Sequence, residues 1–288
     1  LSIENTPKAI GEWLDSLDAT GRIALEATSH YHLELALEAH RRGHEIFLIN
    51  GYRLNRYRDS IGTRAKTDAG DARLLLRYLS RELDELRPWS PPSNAYRQLQ
   101  TLLRRRATLV QVRVALQQRL TGIPTLKASL QRIVAQLKQT DQLIQKHIRQ
   151  CLKEAGWEAD AKRCQAIEGI GPVTAASLAT LFHRGSFRNS DAFIAFLGLD
   201  VRVRDSGIKS GKRRLTRQGD PEARRLLYLA AMQAKRQPAW EGFYQRHVAR
   251  GLAPTQALVA LARKLARVAF SLMQKQTDYV PRVPCGET

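Results

Sequence analysis

Two short apolar runs separated by one helical pattern constrain the fold of the first third of the chain. The run "GRIALEAT" (21–28) predicts a buried strand that ends at Glu26, and "HEIFLIN" (44–50) predicts a second strand. Between them, "HLELALEAHRRG" has the apolar spacing of a helix that ends at Gly43. This order predicts parallel pairing in an α/β unit. Because a two-stranded sheet is not stable alone, we expect further strands upstream of Leu1 and an N-terminally truncated domain.

The pattern becomes wholly helical after the Pro-rich stretch "PWSPPSN" (88–94). Apolar residues recur at helical spacing from 95 to about 153 and predict a helical hairpin or a coiled coil. A further stretch rich in Ala and Leu predicts a mainly helical C-terminal domain, followed by a tail that we expect to be disordered. The predicted fold class is therefore α/β plus all-α, with domains at 1–90, 91–155 and 156–275 and a tail at 276–288.

Charge indicates the class of partner. The sequence has 47 Lys and Arg against 27 Asp and Glu, a net charge of +20, which favours a polyanion such as nucleic acid. No apolar run is long enough to span a bilayer, and three cysteines without metal-ligand spacing indicate a reducing cytoplasm. Residues 86–140 contain ten Arg and Lys and no acid, so Arg104, Arg105 and Arg106 are candidates for contact with a phosphate backbone or an acidic partner.

The stretch "AIEGIGPVTAASLATL" (166–181) matches a helix-hairpin-helix pattern. Gly169 and Gly171 would let the backbone approach nucleic acid, and the following helix would present free amides and its positive end to a phosphate. The alternative is a tight turn between two helices that binds no ligand.

A second basic stretch surrounds Ser206. Residues 201–219 hold seven Arg and Lys and one acid. Cations lower the free-energy cost of placing a nucleophile beside a phosphodiester, so Ser206 is a candidate nucleophile. The residues predicted to contact nucleic acid here are Arg202, Arg204, Lys209, Lys212, Arg213 and Arg214. The alternative is a flexible basic loop whose serine faces solvent.

Three acids form a candidate metal site. Asp68 and Asp71 lie three residues apart in "AKTDAGDARLLLRYL" (65–79), where a helix begins, and such acids commonly stabilise a first helical turn. Together with Glu26 they could instead converge at the carboxyl end of the sheet, where carboxylates suit Mg²⁺ and phosphoryl transfer. Spacing alone leaves both interpretations open.

A rival arrangement has the residue order of tyrosine recombinases. It consists of Arg224, then His247 and Arg250, and finally Tyr279. Tyr279 falls in a stretch without helical pattern, and a short His-x-x-Arg sequence is common by chance, so this interpretation is disfavoured.

Several stretches, in order, resemble the DEDD-type insertion-sequence transposases, the bridge-RNA-guided recombinases. "ALEATSHY" is similar to the family's E-A-T-G-x-Y element, and "RAKTDAGDA" to its R-x-K-T-D-x-x-D-A element. "IEGIGPVTAASL", "FIAFLGLDVRVRDSG" and "ALVALARKLARVAF" are similar to its C-terminal transposase domain. The resemblance covers nearly the whole chain.

The resemblance implies a RuvC-like (RNase H) fold, a coiled-coil middle and a C-terminal domain with a catalytic serine. Glu26, Asp68 and Asp71 would be three of four Mg²⁺-binding acids, and Ser206 would form a phosphoserine link to DNA. The first acid has no counterpart here, and Ser29 stands where the family has glycine. The implied partners are donor and target DNA, a guide RNA and further protomers, in a dimer or tetramer with a composite active site in the bacterial cytoplasm.

Two other functions remain open from the sequence. One is a non-catalytic nucleic-acid-binding protein encoded by a decayed element, which the composition supports equally well. The other is a RuvC-type junction resolvase that uses the acids alone, which leaves the basic stretch around Ser206 unexplained.

Overall fold

The computed structural model describes residues 2–27, 31–62, 67–202 and 213–281, and these are mostly helical, with twelve α-helices and four short strands. The predicted fold class, an α/β part followed by a helical part, is confirmed at this level. Two compact units divide the chain, Leu1–Pro92 and Ser93–Thr288. The finer division at 91, 156 and 276 stays a prediction. No described helix is both long and apolar enough to cross a membrane.

Two parallel strands form the centre of the first unit. Its elements are α1 (Pro7–Asp15), β1 (Arg22–Glu26), α2 (His32–Arg41), β2 (Glu45–Ile49), α3 (Gly51–Ser60) and α4 (Asp68–Glu82). β1 pairs with β2 in parallel, with Glu26 opposite Ile49, which confirms the predicted pairing. After α4, Trp89 returns to β2 and forms an isolated antiparallel bridge with Ile46.

Helices cover both faces of this small sheet. On one face, Ile10 of α1 and Ala36 of α2 pack with Ile46. On the other, Leu54 of α3 and Leu74 of α4 pack with Phe47 and Ile49. Successive residues of a strand point to opposite faces, so β2 contributes to both clusters. Each fully buried aliphatic side chain stabilises the unit by about 1.5–3 kcal/mol relative to its exposed state.

The second unit begins with a helical hairpin and continues as a helical bundle. Its elements are α5 (Asn94–Leu120), α6 (Lys127–Glu154), α7 (Glu158–Gln165), α8 (Pro172–Phe182), α9 (Ser190–Phe196), β3 (Val201–Arg202), β4 (Arg214–Leu215), α10 (Pro221–Ala234), α11 (Pro238–Ala249) and α12 (Pro254–Lys275). α12 contacts α7, α8, α9, α10 and α11. Alanines are frequent in this core, among them Ala231 and Ala266, so neighbouring helix backbones approach closely.

An ion pair joins the two helices of the hairpin. Arg106 Nε of α5 lies 2.9 Å from Asp141 Oδ1 of α6, and the two side chains are only 15% and 11% exposed. Gln145 Nε2 also donates to Asp141, at 2.9 Å. By contrast, Arg104 and Arg105 are exposed. One of the three consecutive arginines therefore holds the hairpin together, while the other two face solvent.

We predict that Arg106→Gln lowers the free energy of unfolding by roughly 1–3 kcal/mol, because Asp141 is left mostly buried without its cation. Arg105→Gln is the matched control and changes the same free energy by less than about 0.5 kcal/mol. Urea unfolding followed by circular dichroism measures both. Equal effects of the two substitutions would contradict the structural role of Arg106.

Candidate functional site

The carboxylate of Glu26 lies against the first residue of α3. Glu26 is half-buried at the end of β1, and a β-carbon on Gly51 would lie only 2.4 Å from Glu26 Oε1. The absence of a side chain at Gly51 therefore makes room for this carboxylate. The N-terminus of α3 is capped by Asn50, whose Oδ1 accepts a hydrogen bond from the Tyr52 amide at 2.9 Å. A helix N-terminus carries a partial positive charge, which favours a nearby carboxylate.

The other two acids lie in the first turn of α4, as predicted. Thr67 caps this helix, with its hydroxyl accepting from the Gly70 amide at 3.1 Å. Asp68 is exposed. Asp71 Oδ1 lies 2.6 Å from Arg58 Nη2, and these two side chains are 18% and 10% exposed. Asp71 is thus both a helix-start residue and the partner of a nearly buried arginine on α3.

Glu26 and Asp71 reach the same face of α3. Arg58 also donates to the side-chain oxygen of Asn55. Gly51, Asn55 and Arg58 follow one another at spacings of four and three residues, which places them on one face of a helix. Gly51, which Glu26 contacts, and Arg58, which pairs with Asp71, are separated by about 10 Å along the axis. The structure therefore brings two of the three predicted acids to one face of α3, at positions about two turns apart.

The donor chemistry of these acids fits Mg²⁺, which prefers carboxylate oxygens. Across the described parts of the chain, however, no three or more His, Cys, Asp or Glu side chains are grouped closely enough to hold a metal ion. One oxygen of Asp71 is also occupied by Arg58. The role of Glu26, Asp68 and Asp71 as metal ligands stays a prediction.

The turn between α7 and α8 packs against α10. Gly169 has φ +89°, and a β-carbon there would lie 2.5 Å from the carbonyl oxygen of Ala230 and 2.7 Å from the amide nitrogen of Ala234. The close approach that we predicted for Gly169 toward nucleic acid is thus made toward another helix of the chain. A sign of it was present in the sequence, since Ala230 and Ala234 are four residues apart and form a flat helix face.

Gly171 differs from Gly169 in its surroundings. It is exposed, caps the N-terminus of α8, and has open space where a side chain would be. Free amides at such a helix end can bind an anion. The position of Gly171 is compatible with the predicted phosphate contact, and contact of either glycine with nucleic acid stays a prediction.

Tyr279 is engaged by an acid rather than by the other residues of the tyrosine-recombinase order. Its hydroxyl donates to Glu168 Oε2 at 2.7 Å, and Trp240 Nε1 donates to the same oxygen at 3.0 Å. Burial and the Glu168 carboxylate raise the pKa of Tyr279 above its usual value. His247 Nδ1 lies 2.9 Å from the Phe243 carbonyl oxygen. These contacts disfavour Tyr279 as a nucleophile.

A two-stranded ribbon carries part of the basic stretch. β3 and β4 are antiparallel, with Val201 opposite Leu215 and Arg202 opposite Arg214. Directly opposed like charges destabilise a strand pair. Arg213 precedes β4 and is exposed. Four predicted site residues lie outside the described residues, namely Ser206, Arg204, Lys209 and Lys212.

Comparison with known proteins covers both units. A family model described as "Transposase", of the DEDD type of IS110 elements, matches residues 2–129. A second, described as "Transposase IS116/IS110/IS902 family", matches residues 161–245. The chain belongs to the IS110/IS116 family of transposases. The resemblance found in the sequence is thereby confirmed, and the chain is a DNA transposase or recombinase enzyme.

Relatives of this transposase include gene-inverting proteins and a probable transposase. Pilin gene-inverting proteins of Moraxella lacunata and Moraxella bovis are each 27% identical over 274 residues, which is 92% of this chain and 84% of theirs. A probable family 20 transposase of Pseudomonas aeruginosa is 31% identical over 166 residues, 54% of this chain and 46% of its own.

We predict that Gly51→Ala lowers the rate of DNA cleavage by roughly 10- to 100-fold, because the new β-carbon displaces Glu26. The melting temperature should change little, since the displaced atom is the end of a flexible side chain. Gly21→Ala is the control, because a β-carbon at Gly21 meets open space. Unchanged cleavage by the Gly51 variant would show that cleavage does not require the Glu26 carboxylate to lie beside Gly51.

We predict that Gly169→Ala destabilises the transposase by about 2 kcal/mol or more, because its β-carbon overlaps the α10 backbone at a left-handed φ. Gly171→Ala should leave the unfolding free energy within about 0.5 kcal/mol of the original. Thermal unfolding monitored by circular dichroism compares the two. Similar melting temperatures would contradict the packing role of Gly169.

Proposed function

We propose that this transposase cuts and rejoins DNA through a covalent link between Ser206 and a DNA phosphate. The observation that supports it most is the β3–β4 ribbon, because its strands flank the sequence segment of Ser206 and carry Arg202 opposite Arg214. Arginine is well suited to phosphate, since its planar guanidinium can donate two parallel hydrogen bonds to it.

The proposed step is a transesterification. The Ser206 hydroxyl loses its proton and its oxygen forms an ester bond to phosphorus, while the bond from phosphorus to one DNA oxygen breaks and that oxygen gains a proton. A hydroxyl of another strand end later attacks the phosphoserine and releases Ser206. Each step exchanges one phosphate ester for another, so rejoining needs no ATP. The arginines offset the negative charge that builds up on the phosphate.

The first unit supplies the acids in this proposal. Glu26, Asp68 and Asp71 would hold a Mg²⁺ ion, which when bound would stabilise charge on the phosphate oxygens. Arg58 positions Asp71 on the face of α3 that Glu26 also contacts. The parallel strand pair with helices on both faces is compatible with a RuvC-like fold.

The partners follow from charge and relatives. A net charge of +20, with Arg104 and Arg105 exposed on the hairpin, supports binding of donor DNA, target DNA and a guide RNA. The names of the Moraxella relatives refer to inversion of a gene, which requires that cut ends be rejoined. We further propose a dimer or tetramer in which the acids of one protomer act with the serine of another.

The nucleophile is tested by a serine pair in one segment. Transposase, guide RNA, donor and target DNA are incubated and denatured, and protein–DNA adducts are separated on a gel. We predict that Ser206→Ala removes the adduct, whereas Ser210→Ala, the matched control, retains it. An adduct of normal yield from the Ser206 variant would show that another residue is the nucleophile.

The acids are tested by Mg²⁺ titration of adduct formation. Glu26→Gln, Asp68→Asn and Asp71→Asn should each reduce the adduct yield by 10²-fold or more, because a ligand charge is lost at the phosphate. Glu34→Gln removes an exposed acid of α2 and serves as the control. A full adduct yield with all three variants would show that adduct formation does not require these acids.

A further inference from the structure

A cleft of about 870 Å³ opens in the second unit between the β3–β4 ribbon and α12. Val201 and Leu215 line it from the ribbon, and Val259 and Ala260 line it from the helix. This volume is in the range of pockets that bind small molecules or a part of a larger ligand. The cleft thus has the size of a specific site, with an apolar floor.

Arginines surround this apolar floor. Arg213 and Arg214 line the cleft beside the ribbon, and Arg263 lines it from α12. Among the described residues that line the cleft there is no acid. Guanidinium groups around an apolar floor suit a nucleotide, because they bind phosphate and also stack on bases.

Arg263 contributes a buried hydrogen-bond donor to the wall of the cleft. Its Nε atom is buried and has no hydrogen-bond partner within the described chain. The two acids that influence it electrostatically are engaged elsewhere: Asp191 with Arg267 at 2.7 Å, and Asp200 with the hydroxyl of Thr216. A buried donor without an acceptor is costly, so an incoming anion would stabilise this arrangement.

We propose that the cleft binds one nucleotide of the DNA strand beside the phosphate that Ser206 attacks, with the nucleotide's phosphate on Arg263 and its base on the apolar floor. This rests on the proposed function, because β3 precedes and β4 follows the sequence segment of Ser206. Arg263 then acts as a positioning residue that fixes the strand relative to the reacting phosphate.

The first test is the salt dependence of binding to a labelled single-stranded DNA oligonucleotide, measured by fluorescence anisotropy. Loss of one phosphate contact makes the negative slope of log K against log salt shallower by about one. Arg263→Gln should therefore reduce the size of this slope by about one and weaken binding several-fold. Lys264→Gln is the matched control. Lys264 follows Arg263 on α12, is exposed and does not line the cleft, so its slope should equal that of the unchanged protein.

A second variant tests the cleft without changing charge. Ala260→Phe places an aromatic side chain in the cleft and should weaken binding of the same oligonucleotide, with a melting temperature near the original. If Arg263→Gln and Ala260→Phe both bind like the control, the proposal is wrong. If Arg263→Gln lowers the slope only for an RNA of the same sequence, the cleft binds RNA and the assignment to DNA is overturned.

A photoreactive base locates the nucleotide. 5-Iodouracil placed next to the cleavage position should crosslink to the peptide that contains residues 254–263, and a crosslink confined to other peptides would overturn the proposed position. The binding assay requires no cleavage, so it separates the two proposals. An unchanged slope together with a Ser206-dependent adduct would reject the cleft alone, whereas a lowered slope without that adduct would reject the nucleophile alone.

Discussion

The second unit depends on the contact between Gly169 and the backbone of α10. The residue has φ +89° and leaves no room for a β-carbon, so glycine alone satisfies both its conformation and its packing. The contact seats α8, whose residues from 174 to 181 are all buried, against α10, and α12 packs on both. Because α12 forms one wall of the arginine-lined cleft, this helix packing fixes the position of that wall.

Acids are scarce in this basic protein, and several of them join helices. Asp141 holds α5 to α6 through Arg106, Asp71 connects α4 to α3 through Arg58, and Asp191 pairs with Arg267 between α9 and α12. Arginine therefore has two roles here. Where burial and a facing acid coincide, it stabilises the fold. Where it lines the cleft, we propose that it binds the phosphate of a nucleic acid.

Local sequence patterns predicted much of the fold. The two strands, the helix beginning at Asp68 and the helical hairpin after the Pro-rich stretch are all observed, because each depends on periodicity, capping or turn residues within a short window. Glu26 was placed at a strand end for the same reason. The ribbon β3–β4, with two residues in each strand, was missed because so short a pairing has no periodicity to detect.

Side-chain partners were harder to predict than elements. Three consecutive arginines look alike in sequence, but only Arg106 faces Asp141, which is 35 residues away. The sequence around Gly169 fits both a ligand contact and a tight turn, because the α10 backbone that Gly169 contacts lies more than 60 residues later in the chain. Such contacts depend on the packing of distant helices. The arginine-lined cleft was missed for the same reason, since Arg214 and Arg263 come together only in the folded unit.

In the proposed reaction, Ser206 carries the DNA between cleavage and rejoining. The most direct test of this role is mass spectrometry of the trapped adduct after digestion by protease and nuclease, which identifies the residue that retains a nucleotide phosphate. We expect the modification on Ser206, in the sequence segment between β3 and β4. A nucleotide phosphate on Tyr279, or on any residue other than Ser206, would contradict it.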